Sequence, residues 1–122
     1  MTLMLREDYL VRQMRDFARV MARILGLRDQ GEYAEALMEC ENALRSVSGL
    51  DPRIVRGFRA ADVMALMGTG GGDMGRQRVT HTAELLRAEA EILEAAGRPD
   101  DAAAERRQAD ELLRLLPPAP ES

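Results

Sequence analysis

The residues best suited to chemistry lie in the glycine-rich segment 68–77, which reads GTGGGDMGRQ. Glycine-rich loops bind nucleotide phosphates when a strand precedes them and the signature residues follow. Here Asp73 stands where the dinucleotide fingerprint counted from Gly68 requires glycine, and Arg76 replaces the lysine of the P-loop pattern counted from Gly70. Both signatures therefore fail, and we interpret the segment as a flexible hinge.

Arginines on both sides of this segment suggest a second interpretation. A mobile glycine turn between guanidinium groups could bind a phosphate or a carboxylate without any nucleotide-binding fold. Alternatively, these arginines pair with acidic residues of the second half of the chain. The candidates for anion binding are Arg53, Arg56, Arg59, Arg76 and Arg78.

The other reactive side chains do not form a catalytic set. His81 is the only histidine, and no nucleophile or orienting carboxylate accompanies it, so we expect it on a helix surface or at a helix interface. Cys40 is the only cysteine and falls on the apolar stripe of a predicted helix, which favours an inert, packed thiol. One histidine and one cysteine are too few for a metal site. We expect no catalytic residue, no metal and no cofactor.

Composition and charge exclude several classes of protein. The net charge of −4 argues against general nucleic-acid binding, which needs a clustered positive surface. The sequence contains no run of about 18 apolar residues, the length that would indicate a membrane span. A single cysteine allows no internal disulfide and suits a reducing compartment. We therefore expect a cytoplasmic protein that has neither nucleic acid nor membrane as a partner.

Hydrophobic periodicity predicts an all-α fold in a single domain over residues 1–116. Four long amphipathic helices are expected, at residues 6–30, 32–47, 74–96 and 100–116. In the first, arginines face away from the predicted buried stripe, which comprises Leu10, Met14, Phe17, Met21, Ile24 and Leu25. Gly31 is expected to end the first helix in a left-handed turn, and Gly97 is expected to end the third helix.

A connector over residues 48–73 separates the two long pairs. Asp51 followed by Pro52 predicts the start of a short helix, and Ala60–Met67 could form another. Asp73 is expected to cap the third long helix. The tail, residues 117–122, is expected to fray.

An internal repeat relates the two pairs at an offset of 66 residues, since GEYAEALMECENA at 31–43 aligns with GRPDDAAAERRQA at 97–109. Glycine at the turn and small residues along the second helix resemble the tetratricopeptide repeat (TPR). Cys40 and Arg106 depart from it, because they stand where the repeat usually has bulky apolar side chains. The whole layout resembles a small bacterial TPR-like family of unknown function. This resemblance implies antiparallel helical hairpins at residues 6–47 and 74–116.

The resemblance also implies a function, namely non-catalytic binding of a peptide or helix in a groove lined by the first helix of each pair. Carried onto this chain, that groove comprises Met21, Ala22, Leu25, Arg28, Arg87, Glu91 and Glu94. Two repeats rarely bury their apolar faces alone, so we expect the connector to fold back over them and a second copy to form a homodimer. The alternatives are a sensor of small anions at the arginine-flanked connector and a purely structural homodimer.

Overall fold

The computed structural model describes residues 2–68 and 72–117, and all the secondary structure within these ranges is helical. The all-α prediction is therefore confirmed. Residues 69–71 of the predicted hinge and 118–122 of the predicted tail lie outside the described residues. The helices are α1 (Thr2–Asp29), α2 (Tyr33–Ser48), α3 (Pro52–Gly57), α4 (Ala60–Leu66), α5 (Gly72–Ala95) and α6 (Pro99–Leu115).

Two equivalent glycine turns join the long helices into hairpins. Gly31 and Gly97 have φ of +77° and +83°, which was predicted for Gly31, and this left-handed conformation is easily accessible only to glycine. In each turn the glycine N–H donates to the carbonyl three residues earlier, at 3.0 and 3.1 Å. The next N–H donates to the carbonyl five residues earlier, at 2.9 and 2.8 Å. This is the Schellman pattern, and the 66-residue repeat therefore extends to the backbone hydrogen bonds.

The predicted helix starts are correct in the connector and at α6 but not at α5. The Asp51 carboxylate accepts from the Arg53 N–H at 2.8 Å and caps α3. Hydrogen bonding to Arg53 lowers the pKa of Asp51 to about 2. Pro99 occupies the first turn of α6. Asp73 is not a cap, because α5 begins one residue earlier, at Gly72.

Helix α5 is the centre of the molecule, because α1, α2 and α6 all pack against it. Its buried side chains therefore cover more than one face of the helix. The buried positions of α5 are Val79, Thr82, Ala83, Leu85, Leu86, Ala88, Glu89, Ala90, Ile92 and Leu93.

The buried stripe of α1 is narrower than its periodicity predicts. Phe17 and Ile24 are buried, and Met21 packs partly against the core. Met14 was expected on the same face but is 55% exposed. More than half of this side chain therefore stays outside the core.

The connector folds back onto the hairpins, which was one of the two arrangements expected. Helix α3 packs against α2, and α4 packs against α6. Their apolar side chains join the main core cluster through Val55, Ala60, Val63 and Met67. The connector is therefore part of the folded core.

We expect Gly97→Ala to destabilise the protein by about 1–2 kcal/mol, because an alanine side chain disfavours the left-handed conformation by that amount. Gly26→Ala inside α1 is the matched control and should stabilise by roughly 0.5–1 kcal/mol. A Cβ atom would meet no atom within 4 Å at either position. The difference in stability between the two variants therefore comes from the backbone conformation alone. Urea denaturation followed by circular dichroism measures both changes; equal effects would contradict the assignment of the turn.

Candidate functional site

The seven residues of the predicted groove lie along the faces of α1 and α5. Arg28 forms an ion pair with Glu91, which joins the two helices across this face. Arg87 and Glu94 instead pair with Asp110 and Arg106 of α6. Of the apolar members, Met21 and Leu25 are half-buried and Ala22 is exposed. Their role in binding a partner stays a prediction.

The five arginines proposed for anion binding make separate contacts. Arg53 pairs with Asp51, and Arg59 is exposed. The side chains of two others donate to backbone carbonyls, Arg78 to Met67 at 3.0 Å and Arg76 to Pro117. Within the described part of the chain, Arg56 is the one of the five that pairs with acidic residues of the second half, as the alternative interpretation expects. Anion binding by any of them stays a prediction.

Arg56 is the centre of a charge cluster that sequence reasoning did not identify. From α3 its guanidinium donates twice to Glu89 of α5, Nε to Oε1 at 2.8 Å and Nη2 to Oε2 at 3.1 Å. The same Nε lies 3.2 Å from Oε1 of Glu105 on α6. Glu41 of α2 approaches Nη1 at 3.4 Å. Four helices therefore meet at one guanidinium group.

The two principal carboxylates of the cluster are buried, whereas the arginine reaches solvent. The exposed fraction of the side chain is 3% for Glu89, 9% for Glu105 and 29% for Arg56. A buried carboxylate is strongly unfavourable unless a cation and hydrogen bonds accompany it. The two-point contact with Arg56 meets this requirement for Glu89.

The internal repeat explains why the connector must supply this cation. At the offset of 66 residues, Glu89 corresponds to Arg23, and Glu105 corresponds to Glu39. In the first hairpin, Arg23 and Glu39 pair directly at 3.3 Å. The second hairpin has an acidic residue at both positions, so its own helices provide no cation there. Arg56 fills that role, and comparing charges across the repeat would have revealed the need for it.

Burial changes the protonation of Glu105. Burial, followed by hydrogen bonding to Glu89, raises the pKa of Glu105 to about 9, and the nearby Arg56 only partly opposes this shift. Glu105 therefore holds its proton more firmly than an exposed carboxyl group does, beside the Glu89–Arg56 pair. Its Oε2 atom is buried and has no hydrogen-bond partner within the described part of the chain. An unsatisfied buried polar atom costs about 1–3 kcal/mol.

This cluster lies in a groove of about 540 Å³ that α2 and α6 border. Leu37 and Met38 of α2 face it from one side, Ala104 of α6 from the other, and Leu93 of α5 lies between them. Met38 is 62% exposed, which makes it the most exposed of the large apolar side chains described. The groove therefore combines an apolar rim with a charged, largely buried floor.

A second cavity, of about 390 Å³, opens between α1, α2 and α5. His81 of α5 lines it and stacks on Phe17 of α1, with ring centroids 3.8 Å apart and planes inclined by 3°. Burial lowers the pKa of His81, which keeps the ring neutral near pH 7. His81 therefore lies at a helix interface, one of the two positions expected for it.

The described residues that line the α2–α6 groove offer charged and apolar side chains, and no hydroxyl, thiol or imidazole group is among them. Cys40 is fully buried, as predicted, and burial raises the pKa of its thiol. Within residues 2–68 and 72–117, no group of three acidic, histidine or cysteine side chains is arranged to hold a metal ion. Nor does any helix there combine the length and apolar character that crossing a membrane requires.

We expect the stability of the wild-type protein to fall as pH rises from about 5 to about 9. The pKa of Glu105 is raised on folding from 4.5 to about 9, so over this window the folded state binds more protons than the unfolded state, and raising the pH favours unfolding. Glu105→Gln resembles the protonated acid and removes its titration. Urea unfolding at several pH values should show a smaller decline for this variant, whereas parallel wild-type and variant curves would contradict the assignment.

Comparison of the chain with protein-family models, with curated proteins and with solved structures finds no match in any of the three. The likeness to tetratricopeptide repeats therefore rests on the residues of the chain itself, chiefly on the paired turns at Gly31 and Gly97. What the protein does must be inferred from its own surfaces.

Proposed function

We propose that the protein is a non-catalytic interaction module, built from two TPR-like hairpins, that binds an extended peptide or a helix of another protein. The groove between α2 and α6 is the binding surface that its geometry favours. Its volume of about 540 Å³ lies within the roughly 300–1,000 Å³ of common ligand sites. That space accommodates a few side chains of a partner.

The observation that carries this proposal is the position of Met38 on the rim of the groove. A methionine that is 62% exposed beside half-buried Leu37 offers an adaptable apolar contact. The charged floor at Arg56 and Glu105 lies below it and could set the register of a bound chain. Apolar anchoring beside a fixed charge pattern is a common form of peptide recognition.

This surface differs from the groove that the repeat resemblance implies, along α1 and α5. Neither of the two cavities described above is lined by any of those seven residues. The Arg28–Glu91 ion pair also spans the α1–α5 face. A partner lying there would have to pack over that ion pair or displace it, so we place the partner between α2 and α6.

Self-association remains part of the proposal. Val11 and Met14 of α1 are 51% and 55% exposed, and a second copy that covered them would remove apolar surface from water. Such a homodimer would use α1 and leave the α2–α6 groove open to a partner. The mass of the protein in solution tests this arrangement, and a monomer at high concentration would rule it out.

The binding surface can be tested by selecting peptides from a displayed library on the immobilised protein. We expect Met38→Glu to weaken the selected peptides at least about tenfold, or roughly 1.4 kcal/mol, because it places a charge on the apolar rim. Leu66→Glu on α4 is the matched control, since Leu66 is 53% exposed and lies outside the groove. Peptides that bind the Met38→Glu variant as tightly as the wild type would show that the groove is not the binding surface.

A further inference from the structure

The cavity between α1, α2 and α5 is lined by positions of the first hairpin that are closed in the second. Three of these positions carry polar side chains, Gln13, Asp16 and Ser46, and all three are exposed. Their counterparts at the offset of 66 residues are fully buried and comprise Val79, Thr82 and Leu112. Polar side chains of this kind favour contact with water. The sequence therefore specifies an opening here, where the equivalent positions of the second hairpin pack shut.

Apolar side chains form another part of the lining. Phe17 and Ala43 are buried, and Val20 and Val47 are half-buried. Met74, which also lines the cavity, is 37% exposed. The apolar body of a ligand would lose contact with water here, and its volume limit is about 390 Å³, within the range of common small-molecule sites.

The polar groups of the cavity include several hydrogen-bond donors that have no acceptor. Arg78 donates from Nη1 to the carbonyl of Met67 at 3.0 Å, and no carboxylate pairs with it within the described part of the chain. The hydroxyl oxygen of Tyr9 accepts from Gln13 at 2.8 Å, which leaves the hydroxyl hydrogen of Tyr9 free to donate. The hydroxyl group of Ser46 has no partner among the described residues. A ligand with acceptor oxygens, above all an anion, fits these groups.

The carboxylate among the described lining residues does not cancel this preference. Asp16 is 72% exposed and pairs with Arg19 at 3.5 Å. A carboxylate that is surrounded by water and already beside a cation repels a second anion only weakly. Arg78 is therefore the unpaired charge that the described lining presents to a ligand.

We propose that this cavity binds a small organic acid, whose carboxylate pairs with Arg78 and whose apolar body packs against Phe17 and Val47. The hydroxyl groups of Tyr9 and Ser46 are the further donors. Inorganic phosphate would pair with Arg78 but bury no apolar surface, so an organic acid is the occupant that fits both parts of the lining. This inference goes beyond the proposed function, because the cavity shares no described lining residue with the α2–α6 groove.

The probe that tests this is 3-phenylpropanoate, compared with 3-phenylpropanamide, which has nearly the same shape but no charge. His81 is the only histidine of the chain and lines the cavity, so its ring resonances report binding without ambiguity. Titration of the full chain at pH 7 should give a saturable shift of these resonances with the acid. We expect the amide, and likewise inorganic phosphate, to bind at least about fivefold more weakly, or roughly 1 kcal/mol.

Two variants and a control locate the site. Arg78→Gln should weaken the acid at least about fivefold, or roughly 1 kcal/mol, and leave the amide unchanged; its fold should persist, because Arg78 is exposed. Ser46→Leu introduces the residue that the second hairpin carries at Leu112, so it should close the cavity and weaken acid and amide alike. Arg12→Gln is the control, since Arg12 is exposed on α1 and does not line the cavity; it should leave binding unchanged.

The absence of a saturable shift, equal binding of acid and amide, or full binding by Arg78→Gln would overturn this inference. Equal losses in Arg78→Gln and Arg12→Gln would also overturn it, because they would indicate a general effect of positive charge. Undiminished binding of both probes by Ser46→Leu would place the ligand outside the cavity, and phosphate that binds as tightly as the acid would rule out the apolar contact. The peptide selection that depends on Met38 is a separate test, so the proposed function can fail or hold independently.

Discussion

Glu89, a buried carboxylate of the second hairpin, is paired with a positive charge that the connector supplies. Glu89 and Glu105 lie where α5 and α6 meet, and both side chains are more than nine-tenths buried. The guanidinium of Arg56 reaches them from α3, with two hydrogen bonds to Glu89. A buried charge without a partner is strongly destabilising, so this contact ties the connector to the hairpin.

The connector consequently does more than join two hairpins. Its apolar side chains, Val55 of α3 and Ala60 and Val63 of α4, complete the core, and Gln108 of α6 donates to the carbonyls of Val55 and Phe58 at 2.9 and 2.8 Å. Polar and apolar contacts thus hold the same segment in one position. Because Arg56 belongs to the connector, the position of the connector also determines where the charged floor of the α2–α6 groove lies.

Local structure follows closely from the sequence, because local rules determine it. Positive φ at Gly31 and Gly97 and the cap at Asp51 are decided by a few neighbouring residues. The apolar stripe of α2 is likewise confirmed, with Ala36 and Leu44 fully buried. These features depend on backbone sterics and helical periodicity, and both can be read in a short window.

The charge cluster and the groove could not be read in that way. Arg56 and Glu89 are 33 positions apart, and periodicity does not say which distant helix covers a given face. Periodicity fails at Met14 for the same reason, since its apolar character predicted burial although the side chain is 55% exposed. The repeat was recognised over residues 31–43 and 97–109, and extending its offset to Arg23 and Glu89 would have exposed the missing cation. The resemblance to tetratricopeptide repeats directed attention to α1 and α5, whereas the groove with the charged floor lies between α2 and α6.

The most direct test of this account is a double-mutant cycle between Arg56 and Glu89, measured by urea unfolding at pH 7. Arg56→Met leaves the buried Glu89 without its cation, and Glu89→Met removes the two-point contact made by Arg56, so each should destabilise by about 1–3 kcal/mol. The double variant should be more stable than the sum of the two losses implies, with a coupling energy of about 1–3 kcal/mol. Losses that add to within about 0.5 kcal/mol would show that the two side chains do not act together and that the connector is held in some other way.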